Sequence, residues 1–272
     1  MLLVPAGSAH PQAAAPPRQP ATRRVPFRVP SEAELRDSAY RISALRGRAI
    51  LLATRDSLPH NVGNSLRCAS CHLDNGLRPN AMPWVGTYAR FPQYRARSGK
   101  VDLIEDRIND CFERSMNGKA LAPSGRDMRD IVAYLAFLSN GIPVGAQMEG
   151  QGLARLQPLN GDLKRGIGIF VSTCTRCHGA NGQGTALAPP LWGAHSYNVG
   201  AGMGNIITAA SFIHALMPID RAQRLTEQQA FDVATYINTR PRPDFPRKIH
   251  DWPKGGKPAG ADYHVSKEDL HD

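Results

Sequence analysis

Cys68-Ala-Ser-Cys71-His72 and Cys174-Thr-Arg-Cys177-His178 repeat one spacing, C-x-x-C-H, in the two halves of the chain. A C-x-x-C pair alone is open to a redox dithiol or half of a zinc site. The histidine behind each pair narrows the chemistry. Two thiols at this separation bond to the two vinyl groups of one haem, and the adjoining imidazole supplies the proximal nitrogen to its iron. With this chain's own use of Cys and His the pattern should arise by chance on the order of 10⁻⁵ times per position, so two copies are not accidental. A zinc ion shared between the pairs would leave both histidines unexplained. The sequence therefore predicts two covalently attached haem c groups, one on Cys68 and Cys71 and one on Cys174 and Cys177, with His72 and His178 as iron ligands. Attachment of this kind takes place outside the bacterial cytoplasm, which predicts a periplasmic protein.

The chain has a fifth cysteine, Cys111. An iron that only transfers electrons usually takes a second protein ligand opposite the histidine. In the second half Met217, Met203 and His214 are open to that role; Met217, followed by Pro218, stands 39 positions beyond His178 and is favoured. The same interval counted from His72 ends on Cys111, with Met82, Met116 and Met128 as other options. A lone cysteine is most often a small buried hydrophobe. Here Arg107, Arg114 and Lys119 surround it, and cationic neighbours stabilise a thiolate. A thiolate donates more strongly to ferric iron than a thioether does, so it would lower that haem's potential and set an electron gradient toward the second haem.

The elements that must hold these residues form an internal repeat. Arg46-Gly47 and Arg165-Gly166 precede the two motifs, Asn75-Gly76 and Asn181-Gly182 follow them, and Pro83-Trp84 is echoed by Pro190-Leu191-Trp192. Ile42, Leu45 and Leu52, and again Leu163, Ile167, Phe170 and Val171, fit one face of a helix before each motif. Ile131, Tyr134, Leu135 and Leu138, and Ala230, Val233, Tyr236 and Ile237, fit a closing helix in each half. This is the layout of a mostly α protein with two tandem class I cytochrome c domains joined by a linker. The expected division is a disordered leader or signal remnant at 1–30, an N-terminal domain at 31–143, a linker at 144–160, a C-terminal domain at 161–244 and a surface tail at 245–272.

Composition sets the outer bounds. A chain of 272 residues with 42% hydrophobic and 21% charged residues can bury two cores, and it holds no apolar run long enough for a membrane span. The net charge of +10 favours anionic substrates. Nucleic acid is not expected, because the basic residues are scattered and no binding motif accompanies them.

The segments FPQYRARSGKVDLIEDRINDCFERSMNGKAL, APPLWGAHSYNVGAGM, FIHALMP and DWPKGGKPA, with both C-x-x-C-H motifs, together resemble the dihaem thiosulfate dehydrogenases over about residues 40 to 260. The resemblance implies a periplasmic enzyme that joins two thiosulfate ions into tetrathionate. It implies a catalytic haem with His72 and Cys111 as ligands, and a second haem, with His178 and Met217, that passes electrons to an external acceptor such as a small c-type cytochrome. Arg107 and Ser115 fall where the family lines its substrate pocket, with Asn117 and Lys119 beside them. Cys111 would leave the iron during turnover and meet the sulfane sulfur as a Cys–thiosulfate adduct. Some members carry a lysine before the methionine; here that position is Leu216, a departure that puts ligand exchange there in doubt. Two other readings predict different behaviour. A non-catalytic dihaem carrier would have no use for Cys111, and a haem subunit of another sulfur-oxidising complex would need a partner protein to bring the substrate.

Overall fold

Asp37 begins the first long helix by accepting the Tyr40 N–H at 2.6 Å, which satisfies one of the donors a helix start leaves open. The computed structural model describes residues 24–261 and Tyr263. Its longer helices are α1 (Ser38–Leu52), α2 (Ile104–Asp110), α3 (Arg126–Phe137), α4 (Leu163–Ile169), α5 (Ile206–Leu216) and α6 (Glu227–Asn238). Four short strands, β1 (Arg24–Val25), β2 (Gln93–Arg95), β3 (Lys100–Asp102) and β4 (Gln147–Met148), form two two-stranded pairs, β1 with β4 and β2 with β3. Among the described residues no helix is long and apolar enough to cross a membrane.

The repeat seen in the sequence recurs in the packing. In the N-terminal domain α1 crosses α3, and in the C-terminal domain α4 crosses α6. Both crossings are made at the glycine of the Arg-Gly pair. A Cβ on Gly47 would lie 1.9 Å from the Asp130 carbonyl oxygen, and one on Gly166 2.1 Å from that of Asp232, so only glycine lets the backbones approach this closely. The preceding arginine then ties the crossing: Arg46 to Asp127 and Asp130, Arg165 to Asp232 at 2.7 Å. Beyond each motif, Gly76 and Gly182, both with positive φ, lie directly under the rings of Trp84 and Trp192. Each tryptophan meets a tyrosine of the closing helix edge-on, Tyr134 at 76° and Tyr236 at 75°.

The expected helical faces need correction. Along α4 and the turn after it, Phe170 is 1% exposed, but Leu163, Ile167 and Val171 are 46%, 42% and 61% exposed. In α1, Ile42 is likewise on the outside, while the buried face runs through Ala44, Gly47, Ile50 and Leu51. The reason is common to both. The glycine that allows the crossing must face the partner helix, which rotates the flanking apolar residues outward. The closing helices agree with the expected pattern, with Ile131, Tyr134, Leu135 and Leu138 all buried.

The segments expected to be loose are tied down. Most of the expected leader lies outside the described residues, but its end, Arg24–Val25, pairs parallel to Gln147–Met148 in the expected linker. The linker also accepts from the N-terminal domain: Gly150 takes the Asn80 N–H at 2.6 Å and Gly152 the Met82 N–H at 2.7 Å. The expected surface tail is inserted rather than draped, with Asp251, Trp252 and Tyr263 buried.

Candidate active site

In the N-terminal motif the buried Thr54 accepts the Cys68 N–H at 3.1 Å and donates its hydroxyl to the Cys68 sulfur at 3.3 Å. Burial pushes the Cys68 thiol up to about 12 and the Cys71 thiol up to about 11, and the nearby Cys111 adds to both. The Nδ1–H of His72 donates to the Met82 carbonyl at 2.5 Å, which leaves Nε2 with a lone pair for a metal. Burial, reinforced by the charge of Arg107, lowers His72 to about 4 against the pull of that carbonyl, so the ring is neutral. Met82 sits at φ +53°, pinned through its own N–H to Gly152 of the linker.

The second motif repeats the arrangement. His178 Nδ1 donates to the Pro189 carbonyl at 2.8 Å, and burial lowers its pKa. Burial pushes the Cys174 thiol up to about 11. A cavity of about 680 Å³ opens over Cys174, Cys177 and His178, and both Met203 and Met217 line it. Met217 stands where α5 ends, its backbone extended at φ −119° and ψ 144°. His214, the remaining option, is turned to the Leu225 carbonyl and does not line the cavity. The same cavity continues to Ser70, Cys71 and Leu73 of the first motif. All five cysteines are free of disulfides. Two thiols suited to the vinyl groups, with an imidazole nitrogen and methionine thioethers suited to the iron, line one cavity and fit a haem c group.

Cys111 opens a π-helical turn, Cys111–Ser115, at the end of α2. Such turns displace one residue from the regular helical ladder and recur at functional sites. The turn is held from several sides. Asn64 donates to the Ser115 carbonyl at 2.8 Å, and Asn198, from the C-terminal domain, donates to the Glu113 carbonyl at 2.8 Å. Arg107, one helical turn earlier, donates to the Cys111 sulfur at 2.8 Å, and Cys111 in return pushes the guanidinium pKa upward.

The other expected site residues separate into two groups. Ser115 closes the same turn as Cys111. Asn117 and Lys119 instead line a shallow hollow of about 330 Å³ with Asn198, Asp244 and Arg247. Arg114 does not serve the sulfur either, because it pairs with Asp110 and Asp251. Met116 and Met128 are 3% and 0% exposed in the N-terminal core. Sequence reasoning missed Arg90 and Arg95. Burial lowers both, and repulsion from Arg107 lowers them further. Arg95 Nη1 is buried without a hydrogen-bond partner, 3.7 Å from Asp110. For Arg95 the signal was the R-x-R run in FPQYRARSGK, but where its side chain goes depends on the β2–β3 hairpin.

Family models divide the chain at the same place as the packing. A model described as the SoxA/TsdA cytochrome c domain matches residues 60–144, and one described as cytochrome c matches 163–241. A thiosulfate dehydrogenase of Allochromatium vinosum is 43% identical over 238 residues, spanning 84% of this chain and 88% of that protein. The chain belongs to the thiosulfate dehydrogenase family. A second thiosulfate dehydrogenase, from Psychrobacter arcticus, is 40% identical over 85% of this chain and 73% of its own length. The solved thiosulfate dehydrogenase (TsdBA) from Marichromatium purpuratum superposes with a TM-score of 0.77 at 39% identity. That match spans 81% of this chain and half of the longer one. Two cytochrome c domains imply two haem c groups, one to each.

Proposed function

We propose that this protein oxidises two thiosulfate ions to tetrathionate in the periplasm and delivers the two electrons to an external acceptor, a small c-type cytochrome. The observation that carries this reading is the asymmetry between the two sites. One is lined by thioethers; the other presents a cysteine sulfur, Cys111, with Arg107 at 2.8 Å. A carrier needs no such residue.

The two C-x-x-C-H motifs would each hold one haem through thioether bonds, with His72 and His178 as proximal ligands and Cys111 and Met217 as the distal ones. When bound, the two haems supply a one-electron sink each. The protein's own residues then have a defined task. Two dianions must meet, and even unit charges ~4 Å apart repel by roughly 4 kcal/mol at an effective dielectric of about 20. Arg90, Arg95 and Arg107 offset that repulsion, and a guanidinium fork suits an oxyanion. The Cys111 thiolate bonds to the sulfane sulfur of the first thiosulfate as two electrons leave. The second thiosulfate attacks that sulfane sulfur, releasing tetrathionate and returning Cys111 as thiolate. Ser115 closes the turn that Cys111 opens, whereas Asn117 and Lys119 stand apart and would act on approach rather than on the reacting atoms.

The match to a domain model shared with SoxA favours one competing reading, a subunit that works only with a partner. The test separates them. Purified, haem-loaded protein is given thiosulfate and an artificial one-electron acceptor, and tetrathionate is quantified. Turnover by the chain alone, abolished in Cys111→Gly with both haems retained, is expected. Absence of turnover in the wild type would sink the proposal.

A further inference from the structure

The last described residues run back from the C-terminal domain onto the N-terminal one and form a strap. Phe245 sits under the Arg114 guanidinium, 4.3 Å from its Cζ. Trp252 donates its N–H to the Arg97 carbonyl at 2.8 Å and stacks under the Arg97 guanidinium at 4.9 Å. Pro253 fills the space beside Gly99, where a Cβ would lie 2.6 Å away. Between these anchors Asp251, 4% exposed, takes a two-pronged pair from Arg114, at 2.8 and 2.7 Å, and the Tyr263 hydroxyl. Nothing in the proposed chemistry uses Asp251.

Its place suggests a use. Arg114 belongs to the π-helical turn that begins at Cys111, and its Nε also reaches Asp110, the residue just before Cys111, at 3.2 Å. One guanidinium therefore spans both ends of the turn. Asp110 also lies 3.7 Å from Arg95 Nη1, so its carboxylate is shared between two arginines. Asp251 draws two of the Arg114 nitrogens away from that contest. Without it the freed Arg114 nitrogens would turn toward Asp110, and the counter-charge on Arg95 would weaken.

We propose that Asp251 is a positioning residue for the sulfur site: by holding Arg114 from the strap it fixes the pitch of the Cys111–Ser115 turn and so the place of the Cys111 sulfur. This rests on the reading of Cys111 as an iron-binding sulfur. The test uses the full, haem-loaded chain. The ferric electron paramagnetic resonance signal of a thiolate-ligated haem is recorded for the wild type, Asp251→Asn, Asp251→Glu and the double variant Arg114→Gln/Asp251→Asn, along with kcat and KM for thiosulfate. A single thiolate signal is expected in the wild type and a split or broadened one in Asp251→Asn, with kcat lowered roughly tenfold or more, as small misplacements at a reacting centre do. Asp251→Glu should recover part of both. The double variant no longer buries a guanidinium that has lost one of its two carboxylates, so it should regain thermal stability without regaining the single signal. A wild type with no thiolate signal would overturn the reading of Cys111 and this inference with it. A wild-type thiolate signal, unchanged in position, width and turnover in Asp251→Asn, would overturn this inference alone. Full recovery of signal and turnover by the double variant would also overturn it, since only stability would then have been lost.

Discussion

Arg107 and Cys111 are four residues apart, one helical turn, so a guanidinium reaches the sulfur at 2.8 Å without any help from tertiary structure. In the proposed reaction the same guanidinium would meet an incoming sulfonate oxygen. Arg107→Gln keeps a donor but removes the charge, which is expected to cost about 1.5–3 kcal/mol for a hydrogen bond to a charged group. Steady-state kinetics should show kcat/KM for thiosulfate falling about 10- to 100-fold, with both haems retained. The pairing was legible in the sequence from spacing alone. The opposite held for Arg114. By position it belongs with the cations around the sulfur, but its partner Asp251 lies 137 positions away and no local pattern announces it. Arg95 was illegible for the same reason, its place being set by a hairpin.

At the scale of elements, each domain is closed by one glycine and one arginine–aspartate tie at a helix crossing. Those pairs stood in the sequence as Arg46-Gly47 and Arg165-Gly166, and the repeat was recognisable from them. What could not be read was which way the helix faces. A heptad-like stripe of leucine, isoleucine and valine looked inward, but the crossing glycine decides the rotation. The aspartates give these crossings a pH dependence. Burial raises the Asp232 pKa, yet Arg165, the Asp162 N–H and Gln228 outweigh it, and the carboxyl is held below its ordinary value. A group depressed in this way adds stability that is complete above the unfolded value, near about 4, and is lost as pH falls through the folded value. Asp232→Asn should therefore melt below the wild type at pH 7. The gap should close as pH drops below about 4, followed by circular dichroism on thermal unfolding.

Taken as a whole, the molecule is less modular than a tandem repeat suggests. The loop around Ser196 and Asn198 grips the turn that carries Cys111, and one cavity runs from Cys71 to the second motif. The linker pins Met82, whose carbonyl orients His72. Composition and motif spacing revealed two domains and two cofactors, but the segments between and after the domains carry no periodicity, so their buried contacts were invisible. Truncation after Asp244 removes Asp251, Trp252 and Tyr263 while leaving every residue of the second motif and α6 in place. Absorption and resonance spectra of the truncated, haem-loaded chain should show the cysteine-side signal altered, with a loss of turnover.

The strap also has a meaning in time. A chain is made from its first residue to its last, and domains tend to form in that order. The half that bears Cys111 emerges first, yet Asp251 emerges after both haem-attachment motifs have passed. Until then Arg114 lacks its second carboxylate, and the sulfur-bearing turn is without its final brace. The order of synthesis thus leaves the turn that bears Cys111 unbraced until the second domain has been made.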